Sequence, residues 1–152
     1  MTIEGDYEPS ALPWVREQVE AYEASGGKEA NTLRDTGIPV IIVTMRGAKS
    51  GDVRKIALMR VEHDGAYAMV ASDGGAKDHP GWYHNLKADP GALTVQDGPE
   101  PFDAVARELS GEEREEWWQR AVAAYPSYAE YQTKTDRQIP VLLAEPRKGT
   151  NS

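Results

Sequence analysis

Apolar positions first recur at helical spacing. Leu12, Val15, Val19 and Tyr22 share one face of a wheel, with Glu17, Glu20 and Glu23 elsewhere. Ser10 stands where it can cap the start, and Gly26-Gly27 where they can end it. This spacing predicts an amphipathic helix over 12–25 that docks on a core. Pro39 to Met45 (PVIIVTM) is β-branched and apolar on both faces, the mark of a buried strand. A polar loop, Arg46 to Asp52, leads to a second strand over Val53 to Glu62. Asp64-Gly65 is a hairpin signal, because both turn positions need positive φ, and Tyr67 to Ser72 is the returning strand. Asp73-Gly74-Gly75 then breaks the pattern.

Pro80 to Lys87 reads as a short helix carrying Trp82 and Tyr83, ended before Pro90. Ala92 to Gln96 and Pro101 to Arg107 are strands joined around Gly98-Pro99. Ser110 and Glu113 have capping-box spacing at the head of a helix that runs to Tyr125 and stops at Pro126. Ser127 and Glu130 repeat that spacing before a shorter helix, and Ile139 to Ala144 is a last apolar strand. About six strands without regular crossover helices argue against a doubly wound parallel sheet. The expected class is α+β: a mostly antiparallel sheet or small barrel with peripheral helices, in one domain over 1–146. Residues 147–152 read as a polar tail.

Composition narrows the function. The chain has 152 residues, 17 Lys and Arg against 25 Asp and Glu, and a formal charge of −8. That balance argues against a nucleic-acid partner, since phosphate neutralisation needs a positive surface. Cysteine is absent, which removes thiolate nucleophiles, disulfides and iron–sulfur clusters. No apolar run approaches the ~20 residues needed to span a bilayer. Met1 to Ser10 is acidic and polar, unlike a signal peptide, so a cytoplasmic protein is expected.

Against this acidic background, Arg46, Lys49, Arg54 and Lys55 crowd one loop with only Asp52 opposing them, and Gly47, Ser50 and Gly51 lie among them. Glycines let backbone amides converge, and cations complete an anion site for a phosphate or carboxylate; the alternative is a solvated hairpin loop. Gly47-Ala-Lys-Ser50 lacks the glycine spacing of a nucleotide phosphate loop. Ser72-Asp-Gly-Gly75 follows a strand and precedes the aromatic run His79 to Asn85: either a ring-binding strand end or an ordinary turn. Tyr125, Tyr128 and Tyr131 either wall a pocket or pack a core. His63, His79 and His84 show no metal-ligand spacing, so no metal is expected. Ser72 lies in no nucleophile elbow.

Taken together, Arg46 to Gly65 (RGAKSGDVRKIALMRVEHDG), Ala71 to Pro90 (ASDGGAKDHPGWYHNLKADP) and Tyr125 to Pro146 (YPSYAEYQTKTDRQIPVLLAEP) resemble the deazaflavin-dependent nitroreductase family. The resemblance runs from about Pro9 to Pro146. It implies a split β-barrel of the FMN-binding-like type. It also implies a reductase that takes hydride from reduced coenzyme F420 and gives it to a quinone, nitro compound or α,β-unsaturated carbonyl. The alternatives are an FMN-binding oxidoreductase on the same barrel and a non-catalytic F420 carrier.

The resemblance further implies a cofactor groove. Ala48, Lys49 and Ser50, with Arg54 and Lys55 at the strand start, would hold the phosphate and lactyl-glutamate end, and Ile56, Ala57, Leu58 and Met59 would also bind the cofactor. Val70, Ala71, Ser72 and Asp73, with Gly81, Trp82, Tyr83, His84 and Asn85, would line the rest. Tyr128 would lie beside the deazaflavin and, with Ser72, carry catalysis; Met59, Tyr125 and Tyr131 would face substrate. The family loop is commonly Gly-Arg-Lys-Ser-Gly, whereas here Ala48 follows Gly47 and the arginine is Arg46. Asp73 stands where a lysine is frequent, and Met59 where the best-known members carry an aromatic residue. A homodimer and peripheral membrane association both occur among such proteins.

Overall fold

The computed structural model describes residues 6–10, 12–32, 37–72 and 80–147. Asp73, the glycines after it, His79 and the end of the polar tail lie outside them. The described residues form strands β1 (Val40–Arg46), β2 (Val53–Met59), β3 (Glu62–His63), β4 (Ala66–Val70), β5 (Leu93–Gln96), β6 (Pro101–Glu108) and β7 (Val141–Pro146). The helices are α1 (Pro13–Ser25), α2 (Gly81–Ala88), α3 (Gly111–Ala124) and α4 (Ser127–Thr133). All strand pairs are antiparallel, in the order β2-β1-β5-β6-β7-β4-β3.

The second predicted strand is therefore two strands. Its first half pairs with β1, ending where the Arg60 amide donates to the Pro39 carbonyl at 2.9 Å. Its second half pairs with β4, beginning where the Val61 carbonyl accepts from Ala68 at 2.9 Å. One bent strand thus supplies both edges of the sheet, and the sheet curls into a half-barrel. A clamp holds the bend: Asp97 Oδ2 accepts from Arg60 Nε at 2.8 Å and from the Tyr67 hydroxyl at 2.6 Å. Beyond it, Asp64 (φ 54°) and Gly65 (φ 82°) make the expected tight turn between His63 and Ala66.

Inside the curl, Ile41, Val43 and Met45 of β1 meet Tyr67 and Met69 of β4 and Leu142 of β7. Leu86 of α2 is buried in the same cluster, with Trp82 and Tyr83 packed beside it, so α2 roofs the curled sheet. Outside, α1 lays Val19 and Tyr22 on Val40 and Ile42. Both faces of β1 are covered, which is why its sequence is apolar without alternation. The remaining outer face, with Ala68, Val70, Val141 and Leu143, is covered by Trp117, Ala121 and Tyr128 of α3 and α4. Burying one such large side chain contributes roughly 1.5–3 kcal/mol.

Helix ends depart from expectation in three places. Leu12 is 55% exposed and is the N-cap of α1; the Ser10 hydroxyl accepts from the Leu12 amide at 3.1 Å and caps no turn of the helix itself. Ser110 is the N-cap of α3 without a side-chain cap, because Glu113 is engaged by both terminal nitrogens of Arg107, at 2.8 and 2.6 Å. Pro126 is the N-cap of α4, which places Ser127 inside the helix. The C-terminus of α1 is as expected, with Gly26 left-handed at φ 64° and the Gly27 amide returning to the Tyr22 carbonyl at 2.9 Å. The last strand begins two residues late. The Ile139 amide is taken by Gln132 Oε1 at 3.0 Å, and Pro140 has no amide to give.

Candidate functional site

The β1–β2 loop folds back on itself. The Gly47 amide donates to the Asp52 carbonyl at 2.8 Å, and the Gly51 amide donates to the Gly47 carbonyl at 2.9 Å. A Cβ on Gly47 would come within 3.0 Å of Ser50 Oγ, which already accepts from the Asp52 amide at 3.1 Å. The loop is also tied across to α2: the Ala48 amide donates to Asn85 Oδ1 at 2.9 Å. Between loop and helix opens a cleft of about 670 Å³, within the range of roughly 300–1,000 Å³ usual for small-molecule sites.

Nine of the anticipated cofactor residues line this cleft: Ala48, Lys49 and Ser50 from the loop, Arg54 and Ile56 from β2, and Gly81, Trp82, His84 and Asn85 from α2. Three linings were not anticipated: Glu8, Met45 and Gly47. Glu8 is contributed by an N-terminal segment that runs beside the start of β2, with its amide on the Val53 carbonyl at 2.8 Å. Nothing in its sequence context marks it as a site residue. Met45 was legible only as core, and at 0% exposure it is both core and lining.

Strand alternation separates the remaining β2 residues. Lys55 does not enter the cleft: its Nζ is 2.6 Å from Glu23 Oε2 on α1 and 5.3 Å from the Tyr7 ring centroid. Ala57 and Met59 pack with the α1 cluster, and Leu58 packs on the interior of the curl. Of the four clustered cations, Arg46 is committed to its own loop, donating to the Gly51 carbonyl at 3.2 Å, with Asp89 at 3.9 Å. Arg54 faces the cleft and meets Glu8 at 3.0 Å. Lys49 has no carboxylate partner among the described residues.

Val70, Ala71 and Ser72 lie apart from this cleft, buried at the end of β4. Arg137, which sequence reasoning passed over, fixes that strand end by donating to the Ala71 carbonyl at 3.1 Å and the Ser72 carbonyl at 2.8 Å. Tyr83 is turned away: its hydroxyl donates to Glu108 Oε1 at 2.7 Å, and burial together with that acceptor pushes its pKa up to about 12. Tyr128 is 4% exposed beneath Tyr125 and Trp118, and burial pushes its phenol upward. The Tyr125 and Tyr131 hydroxyls are 2.9 Å apart; that hydrogen bond, then burial, carries Tyr131 up to about 12. These tyrosines pack in or against the core, as the second sequence reading has it, and none of them lines the cleft.

The donor chemistry of the cleft fits a flat, anion-tailed cofactor. Lys49, Arg54 and Ser50 line the cleft together with the apolar Met45, Ile56 and Trp82. Among the described residues, no three His, Asp or Glu side chains gather as a metal site would require, and no helix is long and apolar enough to cross a membrane.

A curled antiparallel half-barrel with helices outside it and such a cleft defines the class: a split β-barrel of the FMN-binding-like type. A solved heme-binding protein from Mycobacterium smegmatis shares the fold at TM-score 0.56 and 17% identity, over 84% of this chain and 51% of its own. The chain belongs to the F420H(2)-dependent quinone reductase family, whose model matches residues 14–146. It is 34% identical over 108 residues to an F420H(2)-dependent quinone reductase of Mycobacterium tuberculosis, covering 69% of this chain and 72% of that one. A solved F420-H2 dependent reductase, FDR-A, is 60% identical over 70% of this chain and 94% of its own, at TM-score 0.67. Another solved structure, a domain-swapped dimer, is 54% identical over 90% of this chain and all of its own (100%), at TM-score 0.69. The protein is an F420-dependent reductase and coenzyme F420 is its cofactor, which displaces the FMN and carrier alternatives.

Proposed function

We propose that the cleft between the β1–β2 loop and α2 seats the anionic end of coenzyme F420, and that the enzyme reduces a quinone. The observation that carries the seat is the meeting of Lys49, which has no carboxylate partner among the described residues, with Arg54 and Ser50 on a loop pinned to α2 through Ala48 and Asn85. Charge-assisted hydrogen bonds to phosphate or carboxylate are the strong ones, and a preformed loop loses little entropy on engaging them. Trp82 supplies flat apolar surface for a ring system, and Met45 and Ile56 keep water from that side.

When bound, the reduced coenzyme supplies the hydride; the protein supplies position, dryness and a proton. Lys49 and Arg54 neutralise the tail and fix the register of the ring. Ser72 and Tyr128 are the candidate proton donors to the oxygen that gains charge during reduction. Tyr128 is a neutral phenol at physiological pH, as any tyrosine is; burial raises its pKa and so holds the proton more tightly, and its hydroxyl has no partner among the described residues. Tyr125, Tyr131 and Met59 form the acceptor side, which nitro compounds and α,β-unsaturated carbonyls would share with quinones. The domain-swapped relative supports a homodimer for this chain as well.

The test is a titration of the protein with oxidised coenzyme F420. Lys49→Ala and Arg54→Ala should each raise the dissociation constant by about ten-fold, with little change in rate at saturation. A dissociation constant unmoved by both substitutions would remove the seat. Oxidation of the reduced coenzyme with a quinone panel then tests the acceptor class.

A further inference from the structure

The cleft already holds an anion, and the chain itself provides it. Glu8 Oε2 lies 3.0 Å from Arg54 Nη1, and both residues line the cleft. The contact is built into the fold. Residues 6–8 run beside β2, with the Glu8 amide on the Val53 carbonyl at 2.8 Å and the Val53 amide on the Asp6 carbonyl at 2.7 Å. These two bonds place Glu8 level with Arg54, one residue beyond Val53. In a loop with one other acidic residue, Asp52, the carboxylate delivered to Arg54 comes from 46 residues away in sequence.

We infer that Glu8 is an internal counter-ion, a strap-borne carboxylate that the coenzyme's anionic tail must displace from Arg54. The inference rests on the reading of this cleft as the coenzyme's seat. An anion entering at Arg54 meets a guanidinium already engaged and a like charge beside it. Binding is therefore an exchange: the Arg54–Glu8 pair opens, Glu8 turns to solvent, and Arg54 closes on the tail. The Glu8 side chain is 46% exposed and the Arg54 side chain 34%, so the exchange has a water-filled route and the pair is weak. Lys49, with no such partner among the described residues, makes the first contact. The strap thereby sets affinity: it stops the empty cleft from holding small anions and costs the coenzyme part of its electrostatic attraction.

The experiment compares dissociation constants for coenzyme F420 in the full-length protein and in Glu8→Gln, Arg54→Ala, Lys49→Ala and the double variant Glu8→Gln/Arg54→Ala, at low and high salt. Glu8→Gln should bind about two- to five-fold more tightly at low salt, with the gain shrinking at high salt. In the Arg54→Ala background the gain should largely vanish. Unchanged or weaker binding by Glu8→Gln, while Lys49→Ala still weakens it, would overturn the counter-ion and leave the seat standing. No response to any of these substitutions would remove the seat and the counter-ion together.

Discussion

Lys55 Nζ stands 2.6 Å from Glu23 Oε2, on the opposite face of β2 from Arg54. Two cations adjacent in sequence thus have separate tasks: Arg54 lines the cleft and Lys55 fastens α1 to the sheet. Lys55→Met should leave the dissociation constant for coenzyme F420 within two-fold of wild type. It should lower stability by about 0.2–1 kcal/mol, the usual range for a pair this exposed. Parallel coenzyme titrations and chemical denaturation check both outcomes, and a large loss of coenzyme affinity would return Lys55 to the cleft.

Asn85 anchors the loop by accepting the Ala48 amide at 2.9 Å. Asn85→Ala removes the acceptor and frees the loop from α2. A neutral hydrogen bond contributes about 1 kcal/mol, so coenzyme affinity should fall by roughly five-fold through lost preorganisation alone. Exchange of the Ala48 amide should quicken in the coenzyme-free variant. Unchanged affinity with a loosened loop would show that the loop orders itself around the ligand.

The local elements were legible because each rests on a short-range rule. The doubly covered β1 announced itself by an apolar run without alternation, and the Asp64-Gly65 turn by its demand for positive φ. The bend at Arg60 was not legible. The run from Val53 to Glu62 has strand character throughout, and the carboxylate that fixes the bend, Asp97, comes from the end of β5, 37 residues further along the chain. The same reason hid Glu8 and the unused cap at Ser110. A distant or stronger partner, Arg54 in one case and Arg107 in the other, decided where the carboxylate went. The family resemblance named the nine cleft residues, and neither it nor local pattern sorted Arg54 from Lys55, because their facing depends on register.

Alkaline pH should destabilise the fold through its tyrosines. Tyr131 and Tyr83 hold their phenolic protons up to about 12 in the folded protein, through the Tyr125 hydrogen bond in one case and through burial and Glu108 in the other. In the unfolded chain each titrates near ~10. Above that pH the unfolded state binds fewer protons than the folded one, so stability falls as pH rises. The contribution is complete below about pH 10 and is lost toward about pH 12. Denaturation midpoints across this window should decline, and Tyr131→Phe together with Tyr83→Phe should flatten the decline.

Gly27 is fixed by contact as well as by backbone conformation. Its φ is 84°, and a Cβ there would lie 2.8 Å from Gly98 Cα and 3.2 Å from the Tyr22 hydroxyl. That hydroxyl in turn accepts the Gly98 amide at 2.8 Å. Gly27→Ala must therefore move backbone, and should cost roughly 2 kcal/mol or more. Gly65→Ala is the control. It shares the positive φ, at 82°, but meets nothing within 4 Å, so it should cost only about 1 kcal/mol. Equal losses would mean that conformation alone matters at Gly27.

Tyr128 separates a proton donor from a packing residue. Its ring lies edge-on to Tyr125 at 4.9 Å and beside Trp118 at 6.4 Å, contacts that phenylalanine would keep. Its hydroxyl has no partner among the described residues and is not sealed from solvent, so it is open to an acceptor from outside. Tyr128→Phe should therefore fold as wild type and bind the coenzyme within two-fold, while kcat with a quinone falls by roughly a hundred-fold. Ser72→Ala is the competing variant. Ser72 is 7% exposed and its carbonyl is held by Arg137 at 2.8 Å, so its hydroxyl can be removed without releasing the strand end. Loss of kcat in Ser72→Ala alone would transfer the proton to Ser72. Full activity in both variants would leave the proton to solvent and return Tyr128 to the core. A solvent isotope effect that grows in the slower variant would place proton transfer in the step it slows.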